Sequence, residues 1–487
     1  MIINPIDNVA VAASPVSAGE LLDSVTAEEN IPFGHKMAIR DIEKGENIIK
    51  YGYPIGHASR DIKKGEWVHS HCLETNLGDV IEYDCYNGEN PTDFKPCERT
   101  FNGYVRSDGR VGIRNEIRII PTVGCVNSTA QKIAELANER YGELCDGIFA
   151  LTHPYGCSQL GDDLAMTQKA LAGLVLHPNA SGVLILSLGC ENNNLKEFLP
   201  KLGDYDKDSI KTLITQNEDD EIEKALEIIG ELAKRASRQK RTAVPLSELT
   251  IGFKCGGSDG FSGITANPLC GRITDRHTSV GGKAILTEVP EMFGAETILM
   301  KRARDEETFD KTVSMINNFK NYYIRHNQVV YENPSPGNKD GGITTLEEKS
   351  LGCIQKGGTA TVCDVLEYGE QCRRNGLSLL TGPGNDIVSC TNLAVSGASL
   401  ILFTTGRGTP LGAAVPTLKI STNSDLAKRK ANWIDFDAGK LLDGASFDEL
   451  TDELIEKIIR IANGEEKTKN ELNGYREIAI FKDGVTL

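Results

Sequence analysis

What this chain lacks excludes several classes of protein. No stretch of its 487 residues has the uninterrupted apolar length that a membrane-spanning helix needs. The first residues, Met1 to Pro5, lack the basic start and apolar segment of a secretory signal. We therefore expect a cytoplasmic protein with no membrane partner.

Basic residues are in the minority. The chain has 53 Lys and Arg against 69 Asp and Glu, which gives a formal net charge of −16. A surface of that charge is unsuited to nucleic acid or to an anionic membrane. A local cationic pocket can still bind an anionic substrate, so we expect a small-molecule ligand and no nucleic acid.

The chain also lacks the usual cysteine and nucleotide signatures. Its 13 cysteines are odd in number, and no two are spaced as C-x-x-C. A disulfide framework, a zinc ribbon and a dithiol redox motif are therefore not indicated. No Walker loop occurs, and no Gly-x-Gly-x-x-Gly fingerprint follows the first strand, so a nucleotide-binding enzyme is not supported.

The pattern along the chain predicts an α/β protein in three parts. Residues 1–84 contain short strands and glycine turns, which indicate a small β-rich domain. Residues 85–102 are polar and aperiodic and are interpreted as a linker. Strands alternate with helices over 103–245, which predicts a parallel α/β domain. A mixed α/β domain over 246–487 is expected to be catalytic.

Individual elements can also be predicted from the periodicity. The middle domain should have strands at 118–123, 147–152, 183–188 and 211–215, and a helix at 219–238. The carboxy-terminal domain should have strands at 285–288, 359–366 and 400–404, and helices at 308–323 and 447–462.

Three cysteines follow a glycine at the predicted end of a strand. Cys125, Cys157 and Cys190 are spaced about one βα unit apart. Parallel strands end at one edge of a sheet, so these thiols should share the edge where α/β sheets bind ligands. With Cys255 they predict a thiolate-lined site for iron, as a single ion or an iron–sulfur cluster. The alternative is that small cysteines merely suit tight turns. His153 is a further candidate ligand at this edge.

A glycine-rich run from Lys254 to Pro268 is the densest group of reactive side chains. It follows an apolar strand and combines a thiol, an acid, hydroxyls and an amide. Glycines let the backbone approach a ligand closely, and exposed N–H groups can hold an anion. The alternative is an ordinary glycine-rich turn. The candidates here are Ser258 and Asp259 as catalytic residues and Ser262, Thr265 and Asn267 as binding residues.

Cationic and amide side chains elsewhere could bind an acid. His35 can bind metal or take a proton, and the adjacent Lys36 can hold a carboxylate. Arg407 lies between glycines and is placed to bind a carboxylate in a forked manner. Lys339 could act similarly within a polar segment at 331–342 that is long for a connection. Asn338 and Thr409 are their polar neighbours.

These motifs together resemble the altronate dehydratase and galactarate dehydratase family over essentially the whole chain. The residues that carry the resemblance are Gly34-His35-Lys36, Tyr155-Gly156-Cys157, Leu188-Gly189-Cys190-Glu191 and the segments 108–115, 255–268, 333–342 and 405–410. The resemblance implies an amino-terminal SAF (β-clip) domain. It also implies a hydro-lyase that needs Fe²⁺, with Mn²⁺ as a substitute, and converts D-altronate into 2-dehydro-3-deoxy-D-gluconate in hexuronate breakdown.

The residues fit this chemistry. Dehydration of a dihydroxy acid needs a base for the proton beside the carboxylate, an acid for the departing hydroxide and a cation for the enediolate. His35 and Asp259 are the candidates for base and acid, in either order. Lys36, Lys339 and Arg407 are expected to bind the carboxylate. The iron ligands are expected among Cys125, Cys157, Cys190, Cys255 and either His35 or His153.

Other functions remain open at this point. Galactarate or a sulfonated hydroxy acid, as in sulfolactate sulfo-lyase, could be the substrate of the same fold. A sugar-acid-binding protein without catalysis would bind without turnover. A homodimer is expected in each case.

Overall fold

The computed structural model describes residues 1–78, 80, 82, 83, 86 and 99–484. Most of the predicted linker at 85–102 lies outside the described residues, and its described end already begins a strand at Thr100. None of the helices in the described part of the chain is both long and apolar enough to cross a membrane.

The amino-terminal region consists of short antiparallel strands. Their bounds are β1 Val9–Val11, β2 Leu21–Leu22, β3 Val25–Thr26, β4 Lys36–Ala38, β5 Asn47–Lys50, β6 Tyr53–Ala58, β7 Trp67–Val68 and β8 Leu73–Glu74. They form a sheet β1-β4-β7, a sheet β5-β6-β8 and a hairpin β2-β3. This is the predicted small β-rich region.

The middle region is built on a parallel sheet. Its elements are β9 Thr100–Val105, β10 Val111–Gly112, β11 Glu116–Pro121, α1 Asn127–Tyr141, β12 Ile148–Ala150, α2 Gly161–Val175, β13 Ala180–Ser187, α3 Leu195–Phe198, β14 Ile210–Ile214, α4 Glu221–Ala236 and β15 Thr242–Pro245. The parallel strands pair in the order β12-β11-β13-β14, and β10-β9-β15 form a separate antiparallel sheet.

The carboxy-terminal region has a larger parallel sheet in the order β18-β19-β17-β16-β20-β21-β22. Its strands are β16 Thr250–Cys255, β17 Lys283–Leu286, β18 Val362–Leu366, β19 Gly376–Leu380, β20 Leu400–Thr405, β21 Thr417–Ser421 and β22 Phe436–Asp437. Its helices are α5 Ala266–Ser279, α6 Glu296–Met300, α7 Glu306–Arg325, α8 Pro336–Asp340, α9 Leu346–Cys353, α10 Asp386–Val395, α11 Ser424–Arg429, α12 Phe447–Asn463 and α13 Lys469–Leu472.

Helix α12 shows how local sequence sets these bounds. Ser446 caps its first turn, and the Glu449 side chain returns a hydrogen bond to the cap backbone. Leu450, Leu454 and Ile458 recur at helical spacing and are buried. The helix ends at Gly464, whose φ of 77° favours glycine.

The three regions share apolar cores. One cluster joins Ile48 and Ile55 of the amino-terminal region to Phe253 and Phe293 of the carboxy-terminal region. A second joins α2 to α10 and so connects the two parallel sheets. Both α/β regions are therefore held in fixed contact with their neighbours.

The predicted fold class is confirmed. Parallel strands with intervening helices follow a β-rich amino-terminal region, and the strands predicted at 118–123, 183–188 and 400–404 overlap β11, β13 and β20. The helices predicted at 219–238, 308–323 and 447–462 correspond to α4, α7 and α12. The predicted loop at 331–342 contains the short helix α8.

Candidate active site

The reactive side chains of the carboxy-terminal region gather at the carboxyl edge of its sheet. Strand β16 ends at Cys255, β17 is followed by Glu288, and β20 runs into Gly406 and Arg407. The glycine-rich run 256–265 lies between β16 and α5 along this edge. This is the position at which parallel sheets bind ligands.

Two thiols and two carboxylates form a compact buried group here. One ligand atom from each of Cys255, Glu288, Glu291 and Cys353 lies within 4.8 Å of the others. Glu288 has a left-handed backbone with φ of 74°, which is uncommon for a residue with a side chain. We call these four residues the thiol–carboxylate group.

Three buried lysines surround the thiol–carboxylate group. The Lys356 Nζ atom lies 2.9 Å from the Cys255 sulfur and 2.8 Å from the Cys353 sulfur. Lys254 contacts the Glu288 carboxylate and lies 2.8 Å from Asp386. Lys349 pairs with Glu291 at 3.0 Å. Buried charges are tolerable only when paired in this way.

The lysines set the protonation of the carboxylates. Burial alone would raise the pKa of Glu291, but the ammonium groups of Lys349, Lys254 and Lys356 lower it to about 2. Burial and the charge of Glu291 raise the pKa of Glu288. A hydrogen bond to Cys255, together with burial, raises the pKa of the Cys353 thiol.

The donors of the thiol–carboxylate group fit a divalent metal ion. Thiolates suit iron and zinc, and carboxylates suit harder ions such as manganese. Binding an ion would require both thiols to lose their protons, and the ion's positive charge would offset that change. The described residues thus include a Cys/Glu group with the chemistry of a metal site.

Asp259 forms a second centre beside the first. Its carboxylate is buried and accepts hydrogen bonds from the Thr422 and Ser262 hydroxyls at 2.9 and 3.2 Å and from the Phe261 amide at 3.1 Å. Burial raises its pKa, although these donors oppose the rise. Gly406 makes room for the side chain, because a Cβ atom there would lie 2.2 Å from the Asp259 Cγ atom.

A cleft of about 760 Å³ opens onto Asp259. Arg407, Lys428 and Arg429 line it, and all three are exposed. Its other charged lining residues are Asp340 and Asp425. A cleft with three cationic side chains among its lining residues and a buried acid suits a small hydroxy acid.

The amino-terminal domain packs against this cleft. The His35 Nε2 atom lies 3.2 Å from the Asp340 carbonyl oxygen, and the Trp67 indole N–H donates to Nδ1. Burial lowers the pKa of His35 and favours the neutral ring. The candidate acid–base residues His35 and Asp259 thus both contact the segment 340–342, since a Cβ atom on Gly341 would lie 3.1 Å from the Asp259 Cβ atom.

Lys36, a predicted carboxylate-binding residue, forms a buried ion pair. Its Nζ atom is fully buried and donates to Glu348, the Thr344 hydroxyl and the Gly342 carbonyl. Lys50 binds the same Glu348 carboxylate at 2.8 Å. Lys36 therefore joins the amino-terminal domain to α9.

Several predicted polar residues of the glycine-rich run support the backbone. The Ser258 carbonyl accepts from the Asn338 amide at 2.8 Å. Thr265 donates to the Thr422 carbonyl at 2.8 Å, and Asn267 donates to the Gly352 carbonyl at 2.9 Å. They shape the site by fixing the loop around Asp259.

Two further predicted residues lie outside the set that lines the cleft. Lys339 is half-buried on α8, and the Thr409 hydroxyl accepts from the Leu411 amide. Arg407 is the predicted cation that does line the cleft.

The predicted strand-end ligands lie in the middle region. Cys125, Cys157 and Cys190 are exposed and do not belong to the thiol–carboxylate group. His153 is buried, its Nε2 atom lies 2.8 Å from the Pro121 carbonyl, and its Nδ1 atom accepts from the Tyr155 amide. Both ring nitrogens of His153 are thus engaged with backbone.

Sequence reasoning misses most of the thiol–carboxylate group and its lysines. Of these residues the sequence pattern indicates only Cys255. In α9 and just beyond it, four charged residues are all buried: Glu347, Glu348, Lys349 and Lys356. Such residues have no apolar periodicity, so their burial shows only in the tertiary structure.

Comparison with known proteins adds a second kind of evidence. Residues 1–76 match the family model described as the altronate/galactarate dehydratase SAF domain. Residues 103–237 match the second domain of D-galactarate dehydratase/altronate hydrolase, and residues 246–486 match the carboxy-terminal domain of D-galactarate/altronate dehydratase. The chain belongs to the D-galactarate/altronate dehydratase family. The resemblance and the SAF domain expected from the motifs are thereby confirmed.

Curated relatives match over nearly their whole length. An altronate dehydratase of Escherichia coli K12 is 50% identical, covering 100% of this chain and 99% of the relative. One of Bacillus subtilis 168 is 49% identical, covering 99% and 98%. A galactarate dehydratase (L-threo-forming) of E. coli K12 is 32% identical, covering 98% and 95%. The chain is therefore an enzyme of the dehydratase type.

Proposed function

We propose that this enzyme dehydrates D-altronate to 2-dehydro-3-deoxy-D-gluconate. The observation that supports D-altronate as the substrate is the sequence identity. The chain is about 50% identical over its whole length to two altronate dehydratases, against 32% for the galactarate dehydratase. Arg407, Lys428 and Arg429 in the cleft support a sugar acid as ligand, although three carboxylates share its lining. The reaction removes a proton from the carbon beside the carboxylate and hydroxide from the next carbon, and the enol product then ketonises.

The substrate carboxylate would lie against the cationic side chains of the cleft. Arg407 offers a planar donor pair that matches a carboxylate, and Lys428 and Arg429 add positive charge. Fixing the carboxylate there orients the adjacent C–H bond toward the base, which lowers the entropic cost of reaching the reactive geometry.

His35 and Asp259 are the proposed acid–base pair. Burial lowers the pKa of His35 and favours the neutral ring, whose Nδ1 atom could take a proton only after the Trp67 indole N–H releases it. Burial raises the pKa of Asp259, and four hydrogen bonds donated to its carboxylate hold it in place. The pair would serve as base and acid in either order.

The thiol–carboxylate group is the proposed place of a ferrous ion. Cys255, Cys353, Glu288 and Glu291 would hold it. A ferrous ion held there would supply a positive charge at the carboxyl edge of the sheet. The chain's own part is to keep Glu291 ionised through Lys349 and to shield the group from water by complete burial.

Activity and metal content together test this function. Purified enzyme is assayed with D-altronate and galactarate, and its iron, manganese and zinc are measured. Cys353→Ser removes one proposed ligand, and Cys270→Ser is the matched control because Cys270 is equally buried but lies outside the group. We expect Cys353→Ser to lose metal and Cys270→Ser to retain it; equal metal in both would exclude this site.

We further propose a cytoplasmic homodimer. Light scattering after size-exclusion chromatography measures the mass, and a monomer at micromolar concentration would exclude the dimer.

A further inference from the structure

Three exposed cysteines line the carboxyl edge of the middle sheet. Cys157 follows β12, Cys125 follows β11 and Cys190 follows β13, and these strands are neighbours in the order β12-β11-β13. All three strands are parallel, so the cysteines follow the same ends. The other described cysteines are buried or half-buried, which sets these three apart.

Hydrogen bonds tie the three cysteine-bearing loops together. The Gly124 amide donates to the Tyr155 carbonyl at 2.8 Å, which joins the loops of Cys125 and Cys157. The Asn193 amide donates to the Gly156 carbonyl at 3.0 Å, which joins the loops of Cys157 and Cys190. Each cysteine thus lies within three residues of a bond between loops, and the edge is preorganised.

A buried carboxylate fixes the Cys190 loop further. Glu191 accepts from the Thr122 and Ser187 hydroxyls and from the Gly189 amide. These three hydrogen bonds make Glu191 an anchor for the loop. The anchor connects the ends of β11 and β13 and holds the backbone beside Cys190.

The positions of the three thiols favour a cluster over a single ion. Ligands of one ion must lie close together, because a metal–sulfur bond is only about 2.3 Å long. Among the described residues, the group of ligand atoms within 4.8 Å of one another contains none of these three sulfurs. Neighbouring strands are about 4.8 Å apart. In an iron–sulfur cluster each thiolate binds its own iron, so wider spacing fits.

We propose that Cys125, Cys157 and Cys190 bind a four-iron–four-sulfur cluster, with one iron left without a protein thiolate. Each thiol loses a proton and forms one sulfur–iron bond. Iron and inorganic sulfide enter in the oxidation states of the assembled cluster, so the cysteines exchange no electrons. The iron without a protein thiolate would have a free position for an oxygen ligand.

This cluster is separate from the thiol–carboxylate group. The latter lies at the edge of the other sheet and is completely buried, whereas the three cysteines are exposed. Anaerobic protein with a cluster would therefore contain acid-labile sulfide in addition to any iron held by Cys255 and its partners.

The test is anaerobic purification of the full chain, followed by reconstitution with iron and sulfide. Iron, acid-labile sulfide, visible absorbance and the electron paramagnetic resonance signal after mild oxidation are measured. Cys125→Ser, Cys157→Ser and Cys190→Ser are compared with Cys145→Ser. Cys145 is the matched control, because it is not buried and precedes β12 at the opposite edge of the same sheet.

We expect wild type and Cys145→Ser to bind about four sulfides per chain, and each of the other variants to lose most of them while keeping the wild-type circular dichroism. Wild type that binds iron without sulfide would overturn the cluster, as would a Cys157→Ser variant with wild-type sulfide. Turnover of D-altronate is read separately. If the protein turns over D-altronate but binds no sulfide, the cluster is excluded and the proposed function stands. If it binds sulfide but does not turn over D-altronate, the proposed substrate is excluded and the cluster stands.

Discussion

The Lys356 ammonium lies 2.9 Å from the Cys255 sulfur, and both side chains are buried. The same ammonium contacts the Glu288 carboxylate at 3.2 Å. Lys356 thus supplies positive charge to the thiol–carboxylate group from a short helical turn just beyond α9, while Cys255 ends β16. The pair joins two elements that are far apart in sequence.

Replacing Lys356 with methionine should destabilise the fold. The change removes a buried ammonium and leaves Glu288 with fewer partners. Breaking a buried ion pair from one side costs about 3 kcal/mol or more. Urea unfolding measures the loss, and Lys132→Met is the control, because the Lys132–Glu135 pair is exposed and is worth less than about 1 kcal/mol. Equal stability of the two variants would contradict the role of Lys356.

Arg407→Ala should weaken substrate binding. Arg407 is exposed in the cleft, and a hydrogen bond to a charged group is worth about 1.5–3 kcal/mol. We expect kcat/KM for D-altronate to fall about 10- to 100-fold, mainly through a higher KM. Steady-state kinetics check this.

Arg140→Ala is the matched control for Arg407. Arg140 is also exposed, but it pairs with Glu223 in the middle region, away from the cleft. If KM were unchanged in Arg407→Ala, or rose equally in both variants, Arg407 would not bind the substrate carboxylate.

Gly406→Ala should displace the Asp259 carboxylate. The new Cβ atom would lie 2.2 Å from the Asp259 Cγ atom, so one of them must move. A shift of about 1 Å in a catalytic group can cost about 100-fold in rate. Gly78→Ala is the control, since a Cβ atom there meets nothing within 4 Å. Wild-type kcat in Gly406→Ala would show that the position of Asp259 does not matter.

The stability of the contact between the amino-terminal domain and α9 should depend on pH, because the Glu348 carboxylate titrates. Burial would raise the pKa of Glu348, but Lys36 and Lys50 lower it to about 2 from an ordinary 4.5. The stabilisation is therefore complete above pH 4.5 and is lost as the pH falls toward 2, because the unfolded chain takes up the proton first. Each tenfold change in the acid dissociation constant on folding corresponds to about 1.4 kcal/mol.

Urea unfolding between pH 7 and pH 3.5 measures this effect. Glu348→Gln should be less stable than wild type at pH 7, and the gap should narrow as the pH falls. Glu135→Gln, at an exposed pair, should show little gap at any pH. A gap between wild type and Glu348→Gln that stays constant down to pH 3.5 would contradict the assigned role of Glu348.

Sequence patterns predict the fold better than the site. The alternation of apolar strands and amphipathic helices is local, so the segments at 183–188 and 447–462 identify β13 and α12 within a few residues. Burial of charge is not local. Lys36 looks like a carboxylate-binding residue in sequence, yet Glu348 binds it from a position 312 residues away.

The glycine-rich run can be recognised in the sequence because its reactive residues are close together along the chain. Cys255 and Asp259 lie in one short segment, so their proximity follows from the chain itself. Glu288, Cys353 and Lys356 reach the same centre from other elements and are close only after folding. His153 is a candidate metal ligand by residue type. In the structure, however, hydrogen bonds to backbone atoms occupy both of its ring nitrogens, which the sequence does not show.

The most direct test is turnover of D-altronate by the purified full chain in deuterated water, followed by proton NMR. We expect 2-dehydro-3-deoxy-D-gluconate with solvent deuterium at the carbon that lost hydroxide, and much slower reaction with galactarate. Preferred turnover of galactarate, or binding of D-altronate without product, would contradict the proposed function.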